Sequence, residues 1–231
     1  MLQGIPSLMV AQSSSVSSLL TGLQVYYALS DTSDATGGGL TLTNHNAVTF
    51  TAGKINDAAN FASASFQYLT RADNAAFQMG TSDFTIAAWV KFTTTNTAVW
   101  FCQYGDVANG YGFSTGSVAG KLRPLIASGG NNAFFNSANA WNDGNWHLVV
   151  VRYNRAGTMT IFVDNVSEAS GTITAESGSV NNSLGFSIGA SPDGGAFIDG
   201  SIDEAGLWNR QLTTSEMTSL WNGGAGTTYP F

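Results

Sequence analysis

From Leu23 onward, apolar residues recur at every second position in short runs, and each run is cut off by Gly, Asn, Asp or Ser. Alternation with period two belongs to strands that bury one face, and the breaks at 36–39, 44–46, 129–132 and 193–195 carry turn chemistry. A chain punctuated this way folds as an all-β sandwich. In SDFTIAAWVKF (82–92), Phe84, Ile86, Ala88, Val90 and Phe92 share one side while Thr85, Ala87, Trp89 and Lys91 share the other. Both sides are apolar at the centre, which predicts an inner strand. WHLVVVRYNRAGTMTIFVDN (146–165) predicts a hairpin, with His147, Val149, Val151 and Tyr153 on one face and Met159, Ile161 and Val163 returning along it after a turn at 154–157.

One helix is specified near the C-terminus. Thr213 caps it, Glu216 reaches back to the cap N–H, and Leu212 staples to Met217. Met217, Leu220 and Trp221 then share a face, and Gly223–Gly224 offers the left-handed exit; the helix is expected to lie across a sheet edge or end. The order G-S-I-D-E-x-x-x-W-N-R-x-L-T-x-x-E resembles the closing strand and helix of laminin-G-like, concanavalin A-like jelly-roll domains. GLQVYYALSDTSDATGGG (22–39), AGKINDAANF (52–61), 82–92 and 146–165 match the same family in order. The resemblance implies a concanavalin A-like jelly-roll sandwich of two antiparallel sheets with one short C-terminal helix. Lectins, adhesion modules, glycosidases and structural domains share that fold, so function has to be read from sites.

At 231 residues the chain is the size of one sandwich domain. Residues 21–231 are expected to form it, preceded at 1–20 by an N-terminal arm and Ser-rich linker. The first residues carry no Lys or Arg, and Gln3, Gly4, Pro6 and Ser7 interrupt their apolar run, so the segment reads as an arm on the mature chain and not as a secretory signal. Leu2, Ile5, Leu8, Met9 and Val10 are its apolar positions, expected to dock on another copy or a scaffold. Charged residues are 10% of the chain and the net charge is −7, with no Lys or Arg before Lys54. Nucleic acid and anionic membrane are therefore poor partners. Cys102 is alone and reads as a buried small hydrophobe.

Glycoside hydrolysis needs two carboxyl groups about 5–10 Å apart. Asp203 and Glu204 are adjacent, and neighbours in a regular strand point to opposite faces, so they are not expected to serve one groove. His147 reads as a structural hydrogen-bonding residue. The family resemblance implies a calcium site using loops near the two chain ends, which places Asp34 and Asp203 as ligands with Asp31 in reserve; Asx-turns and backbone N–H bonds are the alternative use of these carboxylates. For a sugar, loop aromatics with amides are the natural binding set. Tyr111 and Trp141, each surrounded by turn residues, are expected to be exposed, with Asn109 and Asn139 beside them.

The expected function is that of a non-enzymatic structural or attachment protein of a larger particle, a phage virion surface component such as a capsid decoration or tail protein. Its partners would be further copies or other virion proteins, and a surface glycan. A secreted carbohydrate-binding lectin is the alternative, located outside the cell, and a glycoside hydrolase the remote one.

Overall fold

The computed structural model describes residues 18–104, 108–116 and 118–231. The alternating runs become β1 (Leu23–Tyr27), β2 (Thr43–His45), β3 (Thr49–Ala52), β4 (Asp57–Phe61) and β5 (Tyr68–Arg71). The middle of the chain forms β6 (Phe84–Lys91), β7 (Val99–Gln103), β8 (Gly110–Thr115), β9 (Leu122–Ser128) and β10 (Asn131–Phe134). Then follow β11 (His147–Asn154), β12 (Thr158–Val163), β13 (Val166–Thr172), β14 (Phe186–Ile188), β15 (Gly200–Trp208) and helix α1 (Thr214–Trp221).

Two antiparallel sheets result. Sheet I runs β13-β12-β11-β6-β15-β4-β3, with β1 also paired to β15, and sheet II runs β10-β9-β8-β7-β14-β5-β2. β6 lies between β11 and β15, the inner position that its two apolar sides call for. Phe84, Ile86, Ala88 and Val90 enter the core between the sheets together with Val149, Val151, Tyr153, Met159, Ile161 and Val163. Tyr153 pairs with Met159, Val151 with Ile161 and Val149 with Val163, in the expected hairpin register.

The helix forms as its sequence dictates: Glu216 N donates to Thr213 Oγ1, and Thr213 N donates to Glu216 Oε2 at 2.7 Å. Arg210 forks onto the same carboxylate at 2.7 and 2.8 Å. Burial pushes the Glu216 carboxyl up, but Arg210 and the Thr213 N–H outweigh it and hold it down at about 2. The left-handed exit begins one residue earlier than expected, at Asn222. The position of the helix also differs. It lies on the outer face of sheet I, where Met217 and Leu220 join Trp89, Leu148, Val150 and Trp208 in a second apolar cluster, and Trp221 stacks on Trp89 at 5.3 Å. Ala87, Trp89, Leu148 and Val150 are the outward residues of central strands, and so much apolar surface draws the amphipathic helix onto the face and away from the edge.

The end of the linker belongs to the same cluster. Leu19 is fully buried, its carbonyl accepts from Trp208 Nε1 at 2.7 Å, and Ser18 O accepts from Arg210 Nη2 at 2.7 Å. Leu2, Ile5, Leu8, Met9 and Val10 lie outside the described residues. No helix among the described residues is long and apolar enough to cross a membrane. Cys102 is buried, and that burial pushes its thiol up to about 12.

Candidate functional site

Register assigns an outward row of sheet II. Phe134 pairs with Leu125, Leu125 with Gly112, Gly112 with Cys102, Cys102 with Ser187, Ser187 with Thr70 and Thr70 with Thr43. These seven residues form one row across the outer face, about 29 Å wide at ~4.8 Å per strand. Its middle is made of small side chains, and Gly112 has no alternative, since a Cβ there would meet the Cys102 Cβ at 2.5 Å and the Phe101 carbonyl at 2.6 Å. Small residues in the middle admit the 190–197 loop: Ser187 Oγ donates to Ala190 O, and Phe197 packs edge-on against Phe66 and Tyr68.

Among the described residues, hollows lie toward both flanks of this face. One, of about 380 Å³, is lined by Thr43, His45, Tyr68, Thr70 and Pro192 among others. Its wall is a stacked pair, His45 on Tyr68 at 4.3 Å and 11°, and His45 Nε2 shares a 2.8 Å hydrogen bond with Thr70 Oγ1. The other, of about 120 Å³, is lined by Tyr104, Arg123, Leu125, Asn132 and Phe134. Each offers ring surface beside hydroxyl or amide groups, the combination that sugars require.

The sugar-binding residues expected from sequence are redistributed. Tyr111, expected to be exposed, is fully buried: it pairs with Ile126 on the inner face of β8, and its hydroxyl donates to Phe77 O at 2.8 Å. The signal was present in GYGFST, where Tyr111 and Phe113 already alternate as a strand interior. Trp141 is also not an exposed platform, since it packs partly buried against the core, edge-on to His147 at 4.8 Å. Asn109 laces loops, accepting from Gly129 N at 2.7 Å and donating to Asn181 O at 3.3 Å. Asn139 is held by Glu168, through its N–H at 2.9 Å and its amide at 3.1 Å. Asn109 precedes β8, whereas Trp141 bonds Gly120 beyond its other end, so about 20 Å of strand separates the two groups.

The carboxylates expected to hold calcium serve separate turns. Asp34 Oδ1 accepts from Thr36 N at 3.0 Å and from Thr36 Oγ1 at 2.7 Å, an Asx-turn. Asp203 Oδ2 accepts from Lys54 N at 2.8 Å and Ile55 N at 2.9 Å, an approach so close that a Cβ on Gly53 would lie 2.6 Å from that oxygen. Among the described residues no group of three or more His, Cys, Asp or Glu side chains converges.

The expectation that Asp203 and Glu204 point to opposite faces is overturned. β15 pairs with β4 through Gly200, Ser201 and Ile202 and with β1 through Ala205, Gly206, Leu207 and Trp208, and at the changeover its register against β6 slips by a bulge. Glu204 takes φ +50° as the extra residue. Both carboxylates therefore turn outward: Asp203 to the β3–β4 turn, and Glu204 to the Tyr26 hydroxyl at 2.6 Å. Both are buried, and burial raises each carboxyl to about 7, with the Glu204 charge adding to the rise at Asp203. Tyr229 and Phe231 close over Tyr26, so the pair has no open groove.

His147 fills the structural role expected of it, with Nδ1 2.7 Å from Asp164 and Nε2 3.0 Å from Asp143. Burial pulls its pKa down, but the two aspartates outweigh burial and raise it.

Residues 63–218 match the family model described as the concanavalin A-like lectin/glucanases superfamily. Among solved structures, the binding domain of Paraclostridial Mosquitocidal Protein 1 is similar at TM-score 0.73 and 15% identity, over 88% of this chain and 52% of that one. The receptor binding domain of botulinum neurotoxin C/D mosaic serotype aligns at TM-score 0.71 and 9% identity, over 87% of this chain and 51% of that one. Domain 4 of AbnA, a GH43 extracellular arabinanase from Geobacillus stearothermophilus solved with arabinotriose, aligns at TM-score 0.66 and 21% identity, over 85% and 96%. The chain thus spans about half the length of the two toxin domains and nearly all of the arabinanase domain. No curated protein matches by sequence.

Proposed function

The chain belongs to the concanavalin A-like lectin/glucanases superfamily, and from that premise we propose that it is a non-enzymatic attachment module that holds a surface glycan on the outer face of sheet II. The observation that carries this reading is the His45–Tyr68 stack beside Thr43 and Thr70 in the larger hollow. A sugar ring lays its apolar face on such a ring while hydroxyls read its edges. The similar toxin and arabinanase domains, named for receptor binding or solved with a sugar, support the reading. So does the state of Asp203 and Glu204, which are buried, committed to Lys54, Ile55 and Tyr26 beneath the C-terminal residues, and not placed to flank a glycosidic bond.

The finer reading is that the module sits on a larger particle, a phage virion surface, with Leu2, Ile5, Leu8, Met9 and Val10 joining it to a further copy or a scaffold protein. A secreted lectin is the second reading, favoured by the same hollow. A glycan array with intact protein and Tyr68→Ala tests the shared claim. Specific binding that Tyr68→Ala abolishes is expected; binding that survives it, or turnover of a bound polysaccharide, overturns the proposal. Deleting residues 2–17, which spares Leu19, is expected to leave a folded domain that no longer assembles; in the secreted-lectin reading the deletion changes nothing.

A further inference from the structure

The smaller hollow holds a cation. Arg123 is half-buried on β9, its guanidinium carbon lies 5.0 Å from the Phe134 ring centroid, and among the described residues its side chain makes one long hydrogen bond, Nε to Ser114 Oγ at 3.4 Å. Two other arginines place fork nitrogens on acceptors within the fold. Arg210 forks onto Glu216, and Arg155 Nη2 donates to the carbonyls of Glu176 and Gly178. Burial lowers the pKa of Arg123, and among the described residues no acidic side chain lines its hollow. A guanidinium taken partly out of water without a counter-charge costs stability, whereas an anion arriving from solution would complete its fork.

The surroundings narrow that anion. Phe134 is 56% exposed and Tyr104 stands with it in the lining, so ring surface flanks the charge, and Asn132 adds an amide donor and acceptor. A single planar guanidinium matches the two oxygens of a carboxylate, and the flanking rings suit a pyranose that carries it. The chain's net charge of −7 does not steer anions toward it, so selection has to come from contact at this hollow.

We infer that the hollow of Tyr104, Arg123, Asn132 and Phe134 is a subsite for a sugar residue bearing a carboxylate, of the uronic or sialic acid type. This rests on the glycan-binding reading of sheet II and deepens it. The test is titration calorimetry on the full chain with two matched pairs, 3′-sialyllactose against lactose and trigalacturonate against its methyl ester, which separate the two sources of carboxylate.

One acidic member is expected to bind about tenfold more tightly than its neutral partner, the worth of a charge-assisted hydrogen bond. Arg123→Gln should erase that preference, and Phe134→Ala, which leaves the charge but removes its platform, should weaken it; unchanged thermal melting of both variants guards against misfolding. Equal binding of acidic and neutral members, or a preference that survives Arg123→Gln, overturns the inference. If neutral sugars still bind and Tyr68→Ala abolishes them, the broader reading stands while this one falls. If no sugar binds sheet II at all, both fall.

Discussion

The two sheets obey the same alternation yet meet solvent differently. Outward from sheet I stand Tyr26, Trp89, Leu148, Val150 and Trp208, and these are covered by helix α1, Leu19 and the ring of Phe231. Outward from sheet II stand Gly112, Cys102, Ser187, Thr70 and Thr43, covered in the middle by one loop and hollowed at both flanks. Large apolar side chains force a face to acquire a cover, while small and polar ones leave room for a ligand. The acidic pair and the candidate sugar site therefore lie on different faces with opposite access.

The largest effect that would break this contrast is removal of the sealed face's anchor. Trp208→Ala is expected to cost about 3–5 kcal/mol in urea unfolding, because it deletes a fully buried indole and leaves Leu19 O without its donor. Tyr68→Ala, on the open face, should stay within about 1 kcal/mol of wild type. Comparable losses at both positions would mean that sheet II is as closed as sheet I.

Next in size is pH. Asp203 and Glu204 have folded pKa values near 7 against ordinary values near 4, so over that window the folded chain keeps protons that the unfolded chain has released. Their contribution is fully present below pH 4 and is lost as pH rises through 7, with a slope of up to about 1.4 kcal/mol per pH unit for each proton retained. His147, also raised, acts in the same direction above its ordinary pKa of 6.5. Chemical unfolding at pH 5 and pH 8 should show the decline. Glu204→Gln, which can still accept from Tyr26, should flatten it; an undiminished slope in that variant would place the titration elsewhere. The smallest effect sharpens the account of the cover: Thr213→Ala is expected to cost about 1 kcal/mol by uncapping α1, read as a small drop in melting temperature.

Much of this was legible in the residues. Alternation in 82–92 and 146–165 assigned the faces of β6, β11 and β12, and the capping box placed α1, because both signals are local and need nothing beyond neighbouring residues. Half of the candidate site was not. Tyr111 and Trp141 were the rings expected to be exposed, but which rings of this region face outward depends on the pairing of β8, β9 and β10, which no single strand reveals.

The clearest division between sequence and tertiary structure is at β15. From the residues alone this is a continuous closing strand, and a regular one sends Asp203 and Glu204 to opposite faces. The assembled sheet breaks that parity. β15 has to pair β4 along one half and β1 along the other, and the extra residue at the changeover, Glu204, turns two neighbouring carboxylates onto one face. Alternation is a property of one strand, but a bulge is a property of the strands it lies between, so its consequence for Asp203 and Glu204 exists only once β1, β4 and β15 have come together.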